Sequence, residues 1–142
     1  MKKFFSLLLI LGGLTIITSS CGSNKNLFSL SSIDGEWNIL KVNGDTVKSE
    51  SNPFIGFNIS EKSVYGNSGC NSFSGEVVQK SSLTNSISFN NVATTQMFCH
   101  DMQIEKAILE SLNATRSFTK GLNGNIILLN GDGAEVLVLS KR

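Results

Sequence analysis

The chain has 142 residues, 40% apolar and 16% charged, with 12 Lys and Arg against 11 Asp and Glu for a formal charge of +1. That balance offers no basic field for a nucleic-acid backbone, and the apolar content is too high for a disordered tail, so one domain around one core is expected. One proline, one histidine and three cysteines against 13 glycines point to a turn-rich β protein with little material for catalysis or metal binding.

The chain opens on Met1-Lys2-Lys3 and an apolar run from Phe4 to Ile17, broken by Ser6, Gly12, Gly13 and Thr15. A membrane-spanning helix needs about 20 apolar residues, so residues 1–20 read as a cleaved secretion signal. Thr18-Ser19-Ser20-Cys21-Gly22 resembles the lipobox of bacterial lipoproteins, in which the cysteine is lipidated and becomes the mature N-terminus. Thr18 stands where that pattern prefers an aliphatic residue. The alternative is an ordinary signal followed by an incidental cysteine. Under the lipoprotein reading, residues 21–33 form a flexible tether, and acyl chains on Cys21, palmitate among them, attach the chain to a membrane at about 0.8 kcal/mol per buried CH₂. Losing Lys2 and Lys3 with the leader turns the net charge from +1 to −1, which leaves no electrostatic grip on anionic headgroups. The stretch after Cys21 carries no acidic run, which favours the periplasmic face of the outer membrane.

From Gly35 onward, short alternating runs are separated by Asn-Gly and Asp-Gly turns. Trp37, Ile39 and Lys41 are expected on one face of a first strand, and Asn43-Gly44 predicts a type I′ hairpin turn with positive φ at both positions. Ile55, Phe57 and Ile59 alternate with Gly56 and Asn58, and Pro53 sits at the start of that run, where a missing N–H does least harm. Shorter strands are expected at Val64-Tyr65-Gly66, at Phe73, Gly75 and Val77, and at Ile87 and Phe89. Asp101 to Asn113 breaks the pattern. Ile104, Ile108 and Leu112 recur every four residues beside Ala107, which predicts an amphipathic helix capped by Asp101 and packed as a lid or plug on the β core. Glu105, in or just past its first turn, would favour the positive end of the helix dipole. The last third predicts strands at Arg116–Lys120, Asn125–Leu129 and Glu135–Ser140, divided by turns at Gly121–Gly124 and Asn130–Gly133. The domain is expected over residues 34–142.

Gly66-Asn67-Ser68-Gly69-Cys70-Asn71-Ser72-Phe73-Ser74-Gly75 resembles the signature of the META domain family, the HslJ-like heat-shock lipoproteins. Gly35-Glu36-Trp37-Asn38-Ile39 resembles the family's opening strand, and Pro53-Phe54-Ile55-Gly56-Phe57 the strand before its glycine-cysteine turn. Thr94-Thr95-Gln96-Met97-Phe98-Cys99 resembles the segment that leads into its helix, with Glu105 at the place of a helical glutamate; Phe98 stands where a small residue is commonest. The resemblance covers Gly35 to Arg142. It implies an α+β, mainly β fold: an antiparallel, partly closed barrel of seven to eight strands with one amphipathic helix packed on it. It also implies an envelope lipoprotein linked to stress tolerance, without established enzyme activity. Trp37, Gly66, Gly69, Asn71, Gly75, Met97 and Glu105 are its structural motif positions.

With Cys21 lipidated, Cys70 and Cys99 are the two thiols left in an oxidising compartment, and pairing them would stabilise the fold by roughly 3–4 kcal/mol. The alternative is two reduced cysteines packed as small apolar residues. His100 beside Cys99 suggests a nucleophile with its base, but neighbours on a strand point to opposite faces and on a helix diverge by about 100°. A zinc site would need His100, both cysteines and a carboxylate at spacings the chain lacks. Gly66, Gly69 and Gly75 lack the Lys-Ser/Thr ending of a phosphate cradle and read as turn and bulge positions, and Asn71 as bonding backbone within its own turn. Trp37, Phe57, Phe73, Phe89 and Phe118 read as core.

These residues describe a non-catalytic, lipid-anchored monomer of the bacterial cell envelope, without cofactor or metal. Its expected role is stress tolerance or envelope maintenance through contact with another envelope protein. The rival is a small barrel that carries an apolar ligand or inhibits an envelope hydrolase. A carrier needs an empty apolar cavity of about 300 Å³ or more, a scaffold a filled interior. An enzyme would need Cys70 or Cys99 reduced, exposed and beside a base.

Overall fold

A computed structural model of the chain describes residues 28–48, 50, 52–82, 84–100 and 102–142. The expected secretion signal, Cys21, the first part of the expected tether and Asp101, the expected helix cap, lie outside the described residues.

The strands are β1 (Gly35–Val42), β2 (Asp45–Thr46), β3 (Phe54–Asn58), β4 (Ser63–Asn67), β5 (Ser72–Val78), β6 (Ser88–Thr94), β7 (Thr115–Lys120), β8 (Ile126–Asn130) and β9 (Glu135–Lys141). One helix, α1 (Met102–Ala114), joins β6 to β7. Among the described residues the strands form one sheet in the order β6-β5-β4-β3-β1-β9-β8-β7, with β2 paired to the end of β1, and every pairing is antiparallel. The sheet curls until the residues before β6 reach β7. Ser86 bridges Ser117, the Ile87 N–H donates to the Arg116 carbonyl at 3.1 Å, and the Phe118 N–H donates to the Asn85 carbonyl at 3.0 Å. This is the partly closed antiparallel barrel that the motifs imply. No helix among the described residues is long and apolar enough to cross a membrane.

Alternation places one face of each strand in the interior. Trp37, Ile55, Phe57, Val64, Phe73, Phe89, Phe118, Leu128 and Leu139 are buried there, and the rings of Phe57 and Phe89 lie 6.0 Å apart. Each large apolar side chain contributes on the order of 1.5–3 kcal/mol before conformational entropy is set against it. The first strand departs from strict alternation. Its register against β9 slips between Ile39 and Lys41, so Leu40 is an extra residue and the faces exchange. Lys41 is therefore exposed and Val42 buried, and Lys41 does not share the face of Trp37 and Ile39 as the sequence pattern suggests.

The turns follow their residue chemistry. Asn43 and Gly44 take φ of 49° and 88°, positive at both positions as a type I′ turn requires. A Cβ at Gly44 would have open space around it, so Gly44→Ala meets only the left-handed backbone. It should cost about 1 kcal/mol, read as a lower urea midpoint at unchanged slope. Asn130 Oδ1 accepts the N–H groups of Asp132 and Ala134 at 3.0 and 2.9 Å and closes the β8–β9 connection. The Gly121–Gly124 connection contains a 3₁₀ turn at Leu122–Gly124.

The two ends of the barrel are closed differently. At one end α1 lies against β6, β1, β9 and β8, with Ile108 and Leu112 fully buried and Ile104 and Ala107 half-buried, so the apolar stripe is the packing face. The other end is filled by residues assigned above to the tether. Leu30–Ile33 form a 3₁₀ turn, Ile33 is 0% exposed, and its carbonyl accepts the Trp37 indole N–H at 2.8 Å. The Phe28 N–H donates to Asn85 Oδ1 at 3.1 Å. Asp34 accepts the Ile59 N–H at Oδ1 (2.9 Å) and the Lys141 ammonium at its carbonyl (2.8 Å), while that ammonium sits 4.6 Å from the centre of the Trp37 ring. Phe28 to Ile33, expected as tether, thus packs with the barrel, because it has apolar surface to bury and backbone partners waiting for it.

Candidate functional site

The connection between β4 and β5 is the glycine-cysteine motif, and it lies at the α1 end of the barrel. Gly69 takes φ of 113°, a conformation other residues avoid, and its N–H donates to Asn67 Oδ1 at 2.8 Å. Ser68 donates both its N–H and its hydroxyl to the Asn71 carbonyl at 2.9 Å. The turn so formed carries Asn71 inward, 1% exposed.

Asn71 then bonds outside its own turn. Its N–H donates to Glu105 Oε2 at 3.0 Å, and its side-chain amide donates to Glu105 Oε1 and Oε2 at 2.9 and 3.1 Å and to the Met97 carbonyl at 3.0 Å. Its Oδ1 accepts the Met97 N–H at 2.7 Å and the Thr95 hydroxyl at 2.8 Å. The expected within-turn role for the Asn71 side chain is thereby corrected. One amide ties the β4–β5 turn to the segment before α1 and to α1 itself, because its four hydrogen-bonding positions suit main-chain and carboxylate partners together. Thr95 and Ser72 add a main-chain bond, Thr95 N–H to Ser72 carbonyl, at 3.0 Å.

Glu105 sits in the first turn of α1 and is only 5% exposed. It follows Ile104 and precedes Ile108 by three, so the helix turns it inward with the apolar stripe. Its carboxylate meets the amide groups of Asn71, a closer partnership than the helix dipole alone would give. Cys70 and Cys99 form a disulfide with Cα atoms 6.1 Å apart, inside the range a disulfide tolerates. The glycine-cysteine turn, the Thr95–His100 segment and α1 are thus joined by one covalent bond and one buried polar network.

The other motif positions serve the barrel wall. Gly66 lies within β4 and not in a turn: a Cβ there would strike the Phe54 carbonyl and the Phe73 ring, so a close approach demands glycine. Gly75 faces a bulge in β6, where a Cβ would stand 3.0 Å from the Asn90 carbonyl. Met97 contributes its backbone to the network while its side chain is 62% exposed. His100 is exposed, and no group of three or more His, Cys, Asp or Glu among the described residues is placed to hold a metal ion. On the outer wall, burial first and the nearby Glu36 carboxylate second raise the Tyr65 phenol above its ordinary pKa. No buried side-chain nitrogen or oxygen among the described residues lacks a hydrogen-bond partner.

At the opposite end, a groove of about 880 Å³ opens between Phe28–Ser31, the β3–β4 turn and the end of β5. Phe28, Leu30, Ile59 and Val78 give it apolar walls, with Glu61 and Lys62 among its polar lining. The sequence offers little sign of it, because one wall, Phe28 to Ser31, comes from residues that read as tether.

The fold is similar to that of a protein from Burkholderia xenovorans solved by NMR, with a TM-score of 0.59 and 21% identity over 79% of this chain and 86% of that one. It is also similar to a DUF4847 family protein from Bacteroides vulgatus solved by crystallography, with a TM-score of 0.54 and 11% identity over 78% of this chain and 94% of that one. At those identities the likeness concerns fold alone. No curated protein matches the chain in sequence. The model of the META domain family matches residues 29–142, from the 3₁₀ plug through the glycine-cysteine turn, α1 and β9. The chain belongs to the META domain family.

Proposed function

We propose that the chain is a non-catalytic, lipid-anchored protein of the bacterial cell envelope, contributing to stress tolerance or envelope maintenance through contact with another envelope protein. One observation carries this reading: the groups an enzyme would use at the signature turn are spent on one another. The sulfurs of Cys70 and Cys99 share a bond, and the Glu105 carboxylate is held by Asn71. The leader and the lipobox-like run ending in Cys21 support the anchor.

Two experiments test it. Cells fed labelled palmitate should label the parent chain and leave Cys21→Ser unlabelled and free of the membrane fraction; a variant that still takes up label sinks the anchor. Pull-down of the anchored protein, with and without heat stress, should return a reproducible protein partner. Recovery of the chain with lipid and no protein would instead favour a second reading.

That second reading is a carrier of an apolar ligand, and the groove at the Phe28 end is the observation in its favour. The barrel interior itself is filled by Phe57, Phe118, Ile33 and Leu112, so a ligand would use the rim. Titration with dodecanoate should then move the methyl resonances of Ile59 and Val78 and leave those of Leu112 in place.

A further inference from the structure

We infer that Met97-Phe98-Cys99 is a docking handle for a protein dithiol with apolar surface around its reactive cysteine, and that the Cys70–Cys99 bond is what this partner opens and closes, with Cys99 the sulfur attacked. Phe98 is 96% exposed and Met97 62% exposed, next to each other in a stretch without secondary structure. Isolated exposed apolar residues are ordinary on a protein surface. Two in succession, leading directly into a half-buried disulfide, present an apolar grip beside a reactive bond.

The two cysteines are held unequally. Cys70 lies in the turn fixed by Ser68 and Asn71, whereas Cys99 follows the exposed Phe98. A partner thiolate attacking Cys99 Sγ forms a mixed disulfide, breaks the Cys99–Cys70 bond and releases Cys70 as a thiolate that takes a proton from water. The partner's second thiol, deprotonated, then attacks the partner sulfur of that mixed disulfide and frees Cys99, which is protonated in turn. The partner dithiol is oxidised to a disulfide and Cys70 and Cys99 are reduced, two electrons and two protons having moved; the reverse sequence restores the bond. Opening it need not unfold the domain. Asn71 still holds Met97 and Glu105, and Ser72 still holds Thr95, so both thiols stay near each other for reoxidation.

The test uses the full chain in detergent, with reduced thioredoxin as the protein dithiol and dithiothreitol as a small one, and thiol release as the readout. Phe98→Ser should slow reduction by thioredoxin about tenfold, the scale of one lost aromatic anchor, and change reduction by dithiothreitol by less than about twofold. A single-cysteine thioredoxin should be trapped on Cys99, as read by mass spectrometry of the mixed disulfide. Equal thioredoxin rates for parent and variant, equal slowing with both reductants, or trapping on Cys70 would each overturn the inference. Phe98 is almost wholly exposed, so unfolding does not confuse the comparison, and an unchanged melting curve confirms that.

Discussion

Asn71→Ala should destabilise the domain by about 3 kcal/mol, a fall of about 12 °C in Tm. Glu105 would keep one donor, the main-chain N–H of residue 71, and lose both contacts from the side-chain amide while remaining in a buried position. A buried acceptor stripped of its partner bears the full desolvation penalty, which is larger for a carboxylate than for a neutral group. The Met97 and Thr95 groups released by the same change lie on exposed residues and can turn to water, so they add less. Thermal and urea denaturation followed by circular dichroism check the figure. A loss below about 1 kcal/mol would mean the network is ornamental to stability.

Removing the disulfide ranks with it. The bond closes a segment with a sequence separation of 29. Loop closure of that length restricts the unfolded chain by about 3–4 kcal/mol, so Cys70→Ser combined with Cys99→Ser should lower the urea midpoint by that amount divided by the slope. Parent protein kept in reductant should behave like the double variant. Because the Asn71 bonds persist, the double variant should remain folded, with the α1 amides still protected from hydrogen exchange. Loss of helix protection would show that the sulfur bond, and not the polar network, holds α1 to the barrel.

The barrel and its helix were legible because they rest on local chemistry. Period-two strands such as Ile55 and Phe57, the Asn43-Gly44 turn and the Ile104-Ile108-Leu112 stripe each carry their own signal. What escaped depends on residues far apart in the chain. The slip at Leu40 is set by the partner strand, which a pattern within one strand does not contain. Phe28 and Ile33 read as tether because a four-residue 3₁₀ turn has too short a period to register, although three apolar residues, Phe28, Leu30 and Ile33, were a hint. At the candidate site the residue types were visible and their partners were not. Glu105 on an otherwise apolar stripe was the one available sign that something buried must answer it, and Asn71 lies 34 residues away.

The most direct measurement is the double-mutant cycle on Asn71 and Glu105, using Asn71→Ala, Glu105→Leu and both together, with unfolding free energies from urea titrations. If the signature turn and the helix are locked by their shared polar contact, each single change exposes the other partner's need and the combined variant loses far less than the sum, with a coupling of about 2 kcal/mol. Strict additivity, within about 0.5 kcal/mol, would show that these two residues act apart and that the signature turn is kept for some other purpose.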